Sequence, residues 1–293
     1  MKINLVMINK YPGKAVWTFE DMMRALMHLL LQAGFDAHIT VNHIEEGAVN
    51  ILFGVGSVLS HAYSDIASAA GTASCIIFNC EQLESSSILV TDEYVNFLSN
   101  YIVMDWCQAN IEAIKRKVTV ARPIFEMPVF PTFSIINAAP RPAELQYDLG
   151  FYGGNQLRRR KIIEELRQES ISVKLIQNSF GDVLNEKLMD CRYVLNIHAY
   201  ETDLLEINRC LRPMAMGIPI ISESSTLPAS GDWDDSGILF APTDGFAKSV
   251  KKILSNQDNY ISASRNVIQF TNRADNAARV GAVMQSALAQ LPI

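Results

Sequence analysis

The 293-residue chain has no apolar run long enough to span a bilayer. Its opening stretch, Met1–Lys14, is too short for a signal core and reads as a first strand. Five cysteines (75, 80, 107, 191 and 210) stand singly, with no CxxC pair. That predicts reduced, mostly buried thiols in a cytoplasmic protein and excludes a disulfide scaffold. No second histidine or cysteine sits at ligand spacing from His198, and no DxD pair follows a predicted strand. A protein-bound metal is therefore not expected. GxGxxG and the P-loop are both missing, which argues against a dinucleotide-dependent oxidoreductase and a P-loop enzyme. Basic charge is also short: 25 Lys and Arg against 31 Asp and Glu give −6, which disfavours nucleic acid or an anionic membrane as the main partner. Repeats and low-complexity segments are lacking too.

What is present is an alternation of short apolar runs with helical periodicity. Strands are expected at Ile3–Ile8, Ala37–Val41, Asn50–Val55, Cys75–Phe78, Tyr101–Met104 and Val118–Ala121. Thr18 reads as the N-cap of a helix running to Gln32, 57–70 as a further helix, and 108–117 as another. Prolines 123, 128, 131, 140 and 142 then mark a linker. A second unit restarts the pattern, with strands at Asp148–Tyr152, Val173–Ile176, Tyr193–Ile197, 218–222 and Gly237–Phe240. Its helices are expected at 158–167, 182–188, about 203–216, 244–255, 259–270 and 275–289, the 203–216 helix ended by Gly217. The pattern predicts α/β architecture with two facing Rossmann-like domains, 1–130 and 131–293, and a cleft between them. The last helix is expected to pack back on the first domain.

In open parallel sheets, ligands bind at the carboxyl ends of strands beside helix N-termini. Three clusters of polar residues fall there. Gly153-Gly154-Asn155 precedes a helix opening with Arg158 and Arg159, which suits an anion. Asn196, His198, Tyr200, Glu201, Asp203 and Glu206 crowd the loop after another strand, and Glu223 ends the next. Glu206 and Arg209 lie three apart. They form either a surface pair worth a few tenths of a kcal/mol, or a carboxylate for ribose or sugar hydroxyls beside an arginine for phosphate. In the first unit, Asn79-Cys80-Glu81-Gln82, Asp105-Trp106 and the loop carrying Lys10, Gly13 and Lys14 occupy the equivalent edge. Helix capping and loop polarity are the structural alternatives for each of these.

At these residues the chain resembles the GT-B glycosyltransferases, and within them bacterial group 1-like members with a shortened carboxyl-terminal half. Gly153-Gly154-Asn155 with Arg158-Arg159, Val194–Glu201, Glu206–Arg209 and Ala215–Glu223 carry the resemblance. It covers the second unit well and the first in layout only. It implies a nucleotide-sugar donor as substrate, held by Gly153, Gly154, Asn155, Arg158, Arg159, Asn196, Tyr200, Glu201, Arg209 and Glu223. It further implies no required metal or cofactor, since helix dipole and basic side chains serve the diphosphate. One departure stands out. Many retaining members carry a glutamate five residues before the glycine of the AxG-P segment; here Arg212 holds that place.

The expectation is then a cytoplasmic transferase moving sugar to an acceptor hydroxyl in surface polysaccharide or glycan assembly. Glu81, Asp105, His198 and Glu206 are its catalytic candidates, and Lys10, Gly13 and Lys14 its acceptor-side residues. The alternative is a non-catalytic nucleotide- or sugar-binding protein of the same fold. Donor base, acceptor, stereochemistry and homo-oligomerisation are left open by the sequence.

Overall fold

The computed structural model describes residues 1–9, 18–57, 74–136, 141–154, 156–200, 204–229 and 233–291. The chain divides into two compact units. One holds Met1–Phe130, Pro228–Gly231 and Ala274–Ile293; the other holds Pro131–Leu227 and Asp232–Arg273.

The first unit is built on a parallel sheet of order β2-β1-β3-β4-β5-β6. Its strands are β1 (Lys2–Met7), β2 (Asp36–Val41), β3 (Val49–Phe53), β4 (Ser74–Phe78), β5 (Ile102–Asp105) and β6 (Ile124–Glu126). Two interior strands, β3 and β5, are buried along their whole length, as strands covered on both faces must be. Helices α1 (Glu20–Gln32), α2 (Asp92–Leu98), α3 (Gln108–Lys117) and α9 (Asn276–Leu288) complete the unit's described helices. Gly281 of α9 lies against Ala33 just past α1, so close that an added Cβ would come within 2.9 Å of the Ala33 Cβ.

The second sheet, order β11-β10-β9-β7-β8, is also all parallel. It comprises β7 (Tyr147–Tyr152), β8 (Val173–Ile176), β9 (Cys191–Asn196), β10 (Ile220–Glu223) and β11 (Ile238–Ala241). Helices α4 (Leu157–Gln168), α5 (Gly181–Leu188), α6 (Ile207–Ala215), α7 (Phe246–Ser255) and α8 (Gln257–Thr271) belong with it. Leu149, Phe151, Tyr193, Leu195, Ile221, Phe246 and Val250 share its core. Because all strands run one way, Tyr152, Asn196 and Glu223 end three neighbouring strands on one edge.

Four local expectations are corrected. The sixth strand lies at Ile124–Glu126, not at Val118–Ala121. It is the sheet's outer strand, so Pro123 can precede it without breaking a ladder, and the Pro123 carbonyl still accepts from Val103 N. Thr18 is not a cap: the helix opens after Phe19, whose backbone is already helical (φ −93, ψ −5) and offers no side-chain cap. Helix α2 was not foreseen; Thr91 caps it by accepting from Tyr94 N at 3.1 Å. Finally, α6 begins at Ile207 rather than near Asp203. Leu204 bridges Thr226, and Leu205 N donates to the Thr226 carbonyl, so this stretch is extended. The helix expected at 57–70 lies almost wholly outside the described residues. Gly217 does end α6 with φ +69. Among the described residues, no helix is long and apolar enough to cross a membrane.

Candidate functional site

In the second unit, α4 starts six residues after the end of β7's Gly150-Phe151 pair and brings two consecutive arginines to the sheet's carboxyl edge. Each meets a carboxylate, Glu223 or Glu206, that also grips the loop leaving β9. Arg158 donates to both oxygens of Glu223, at 2.7 and 2.5 Å, and to the His198 carbonyl at 3.0 Å. Glu223, fully buried, accepts from His198 N at 2.8 Å. Arg159 donates to both oxygens of Glu206 at 2.9 Å, and Glu206 accepts from Ala199 N at 2.7 Å. Two successive loop amides are thus held by two carboxylates, and each carboxylate is held by one of two successive arginines.

Arg209, in the first turn of α6, closes the arrangement. Its Nη2 pairs with Glu206 Oε2 at 2.6 Å. Its Nη1 donates to Asn196 Oδ1 at 3.1 Å and to the Ile197 carbonyl at 3.0 Å. Asn196 donates in turn to Ser222 Oγ at 3.0 Å. The guanidinium carbons of Arg159 and Arg209 stand 5.7 and 5.6 Å from the Phe151 ring centroid, so one aromatic ring supports both cations. The Glu206–Arg209 pair is therefore not a surface pair; the two side chains are 15% and 9% exposed.

These contacts decide what each group can still do. Arg159 has five N–H donors and makes five hydrogen bonds, the remaining ones to Ile197 O, Gly154 O and Gln156 Oε1. It is 2% exposed and has no donor left. Burial pulls its pKa down to about 10; neighbouring Arg209 adds to this and Glu206 opposes it. Burial alone would raise the Glu206 carboxyl, but Arg209, Arg159, the Ala199 amide and His198 hold it below the ordinary value. With four N–H contacts on its two oxygens, Glu206 is occupied within the protein and does not present itself as a free acceptor for ribose hydroxyls. Arg209 keeps its Nε–H and part of Nη2 without a protein acceptor among the described residues.

Gly153 is explained by the same packing. Its φ is +132, and an added Cβ would come within 2.9 Å of Arg209 Nη2. The glycine lets Arg209 lie flat against the strand end. Arg212, at the place where the resemblance leads one to expect a glutamate, is buried and donates to the Gly181 carbonyl at 3.1 Å and to Asn185 Oδ1 at 2.7 Å. His198 Nε2 lies 3.1 Å from the Ser224 carbonyl, which can only accept, so Nε2 carries the hydrogen. Nδ1 is buried with no hydrogen-bond partner among the described residues. Tyr200 is half-buried near Arg159.

The first unit carries a separate polar cluster at its own carboxyl edge. Asp105, ending β5, accepts from Asn79 Nδ2 at 2.6 Å, Cys107 N at 3.0 Å and Asn110 Nδ2 at 3.0 Å. Asn79 and Asn110 then fasten the Glu81 backbone. Its carbonyl accepts from both, at 3.0 and 2.7 Å, and its amide donates to Asn79 Oδ1 at 3.1 Å. Tyr94 Oη also donates to Asn79 Oδ1, at 2.7 Å. Burial pushes Asp105 up to about 8 against these three donors, and pushes Glu81 up to about 7. Cys80 is raised as well, chiefly by burial, so it is no nucleophile at neutral pH.

The expected second-unit residues Gly153, Gly154, Arg158, Arg159, Asn196, His198, Glu206, Arg209 and Glu223 therefore share one network. Phe151 and the Ala199 amide belong to it as well, as the ring under two guanidiniums and as a donor to Glu206. Lys10, Gly13, Lys14, Asn155 and Glu201 lie outside the described residues. Among the described residues there is no group of three or more His, Cys, Asp or Glu side chains placed to hold a metal ion.

No family model matches the chain. The uncharacterized protein R358 of Acanthamoeba polyphaga mimivirus is 32% identical over 124 residues, 41% of this chain and 44% of that protein. The chain thus spans less than half the length of this relative. HepE of Anabaena, crystallised in complex with UDP and glucose, superposes with a TM-score of 0.60 at 11% identity, covering 99% of both chains. AviGT4, a glycosyltransferase involved in avilamycin A biosynthesis, superposes with a TM-score of 0.57 at 13% identity, covering 99% of this chain and 98% of its own. The architecture is that of the GT-B glycosyltransferases: two Rossmann-like α/β units, each on its own parallel sheet.

Proposed function

We propose that this chain is a GT-B glycosyltransferase that moves a sugar from a nucleotide-sugar donor to an acceptor hydroxyl in the assembly of a polysaccharide or other glycan. The observation that carries the reading is the charge of the second-unit network. Three guanidiniums (Arg158, Arg159, Arg209) face two carboxylates (Glu206, Glu223), which leaves an excess of 3 − 2 = +1 at a strand edge beside the α4 and α6 N-termini. The unused edge of Arg209 is the donor-diphosphate contact in this reading, and Glu206 and Arg159 hold it in place. Support from the fold is that HepE, of like architecture, takes UDP-glucose.

Calorimetric titration with UDP tests the proposal. Parent protein binds, and Arg209→Ala binds about 10- to 150-fold more weakly, the worth of ~1.5–3 kcal/mol for a hydrogen bond to a charged group. Equal affinity for parent and variant rejects the assignment. A second reading, a binding protein without turnover, draws on Arg212, which replaces an expected donor-side carboxylate with a cation committed to Asn185 and Gly181. UDP binding without sugar transfer from any donor would select it.

A further inference from the structure

Arg209, the diphosphate contact of the reading above, sits in the first turn of α6. That helix contains a proline, Pro213, inside its last turn. Proline has no backbone N–H, so it cannot make the helical bond to the carbonyl four residues back, and its ring crowds that carbonyl. Four residues before Pro213 stands Arg209 itself. The proline therefore removes the helical donor from one particular carbonyl, and that carbonyl belongs to the arginine with N–H groups to spare. Every residue from Arg209 to Ala215 is buried. A backbone carbonyl in such a stretch requires a partner from elsewhere.

The partner comes from the neighbouring strand end. The Tyr152 hydroxyl, at the end of β7, donates to the Arg209 carbonyl at 2.5 Å. Both chain neighbours of Tyr152 touch the same arginine. The Phe151 ring centroid stands 5.6 Å from the Arg209 guanidinium carbon. Gly153 leaves open the space that a Cβ would take from Nη2. Three consecutive residues thus meet Arg209 at the face of its guanidinium, at its backbone and at the edge of its fork.

We propose that Tyr152 is the positioning residue of Arg209: its hydroxyl replaces the backbone donor that Pro213 lacks, and so sets where the first turn of α6 presents the unused Arg209 N–H groups to the donor diphosphate. This rests on the transferase reading above. In an unbroken helix the backbone of Arg209 would be held by its own helix. Here it is referenced to β7, and the end of β7 also leads through Gly153 into α4, which carries Arg158 and Arg159. One strand end therefore places all three guanidiniums, two through the continuity of the chain and the third through Tyr152.

The test is a double-mutant cycle read by calorimetric titration of UDP, well below the melting temperature. Tyr152→Phe keeps the ring and loses the hydroxyl. Pro213→Ala returns an N–H four residues after Arg209. In the parent background, Tyr152→Phe weakens UDP binding by about 2- to 10-fold, the range that a lost net hydrogen bond commands. In the Pro213→Ala background, the same change leaves the affinity where it was, because the helix then supplies the donor. A tyrosine that only stabilises the fold would lower the melting temperature and leave UDP affinity unmoved in both backgrounds. A tyrosine that touches the nucleotide itself would cost affinity equally in both. Either result overturns the proposal and leaves the transferase reading intact, whereas a parent that binds no UDP overturns the reading beneath it. If Tyr152→Phe alone does not fold, recovery of a folded, UDP-binding protein on adding Pro213→Ala supports the pairing, and failure to recover refutes it.

Discussion

Replacing Arg159 by alanine separates the structural from the ligand-binding arginines. Its five donors all end on protein acceptors, and its charge is buried against Glu206. Removing one partner of a buried pair costs about 3–5 kcal/mol, because the other is left uncompensated. Glu206 would keep Arg209 and the Ala199 amide, so the loss falls at the lower end, about 3 kcal/mol. For a unit of this size that lowers the melting temperature by about 6–12 °C, at roughly 2–4 °C per kcal/mol. Differential scanning calorimetry, with UDP titration of the folded variant, measures both sides. Arg159→Ala should melt early yet bind UDP within a few-fold of the parent when folded. Near-parental stability combined with lost UDP binding would refute the reasoning and make Arg159 a ligand contact.

Further expectations concern pH, backbone and metal. Glu81 has its folded pKa raised from 4.5 to about 7, so its contribution to stability is whole below pH 4.5 and declines as pH rises to 7. Across that window the parent should lose roughly 3 kcal/mol more stability than Glu81→Gln, at 1.36 kcal/mol per unit, because the variant keeps only the loss owed to the raised Asp105; denaturant melts at pH 5 and 8 will show the difference. Glu206 runs the opposite way: its depressed pKa supports the fold above pH 4.5, and that support fades as pH falls through the folded value. Parent should therefore lose more stability on acidification than Glu206→Gln. Gly153→Ala should cost about 1–3 kcal/mol through its φ of +132, and should weaken UDP binding by displacing Arg209; chemical unfolding and calorimetry check both. Transferase activity should persist in excess EDTA, and loss restored by manganese would contradict that.

The parallel α/β layout was legible because short apolar runs alternate with periodic segments, and β8 falls where the run Val173–Ile176 does. Gly217 announced the end of α6 by the same local logic. The misses have tertiary causes. β6 hides behind Pro123 because only an outer strand tolerates that neighbour. The start of α6 depends on Thr226, more than twenty residues on, drawing Leu204 and Leu205 into an extended pairing. Helix α2 is marked in the sequence by Thr91-Asp92-Glu93, a cap followed by an acidic first turn. At the site, the polar residues could be placed on one strand edge, but not their partners. Arg159 and Glu206 lie 47 positions apart, and which of the adjacent arginines reaches Glu206 rather than Glu223 is settled by packing on Phe151. Glu81 and Asp105 look alike in sequence, and only the Asn79 and Asn110 amides tell them apart.

The central claim is that the chain transfers sugar from a nucleotide-activated donor. Mass spectrometry of nucleoside-diphosphate release and glycosylated product, across a panel of nucleotide sugars and hydroxyl acceptors, tests it most directly. The account predicts acceptor-dependent release with at least one donor, reduced in Arg209→Ala. A folded protein that binds UDP but releases no nucleoside diphosphate from any donor would contradict it.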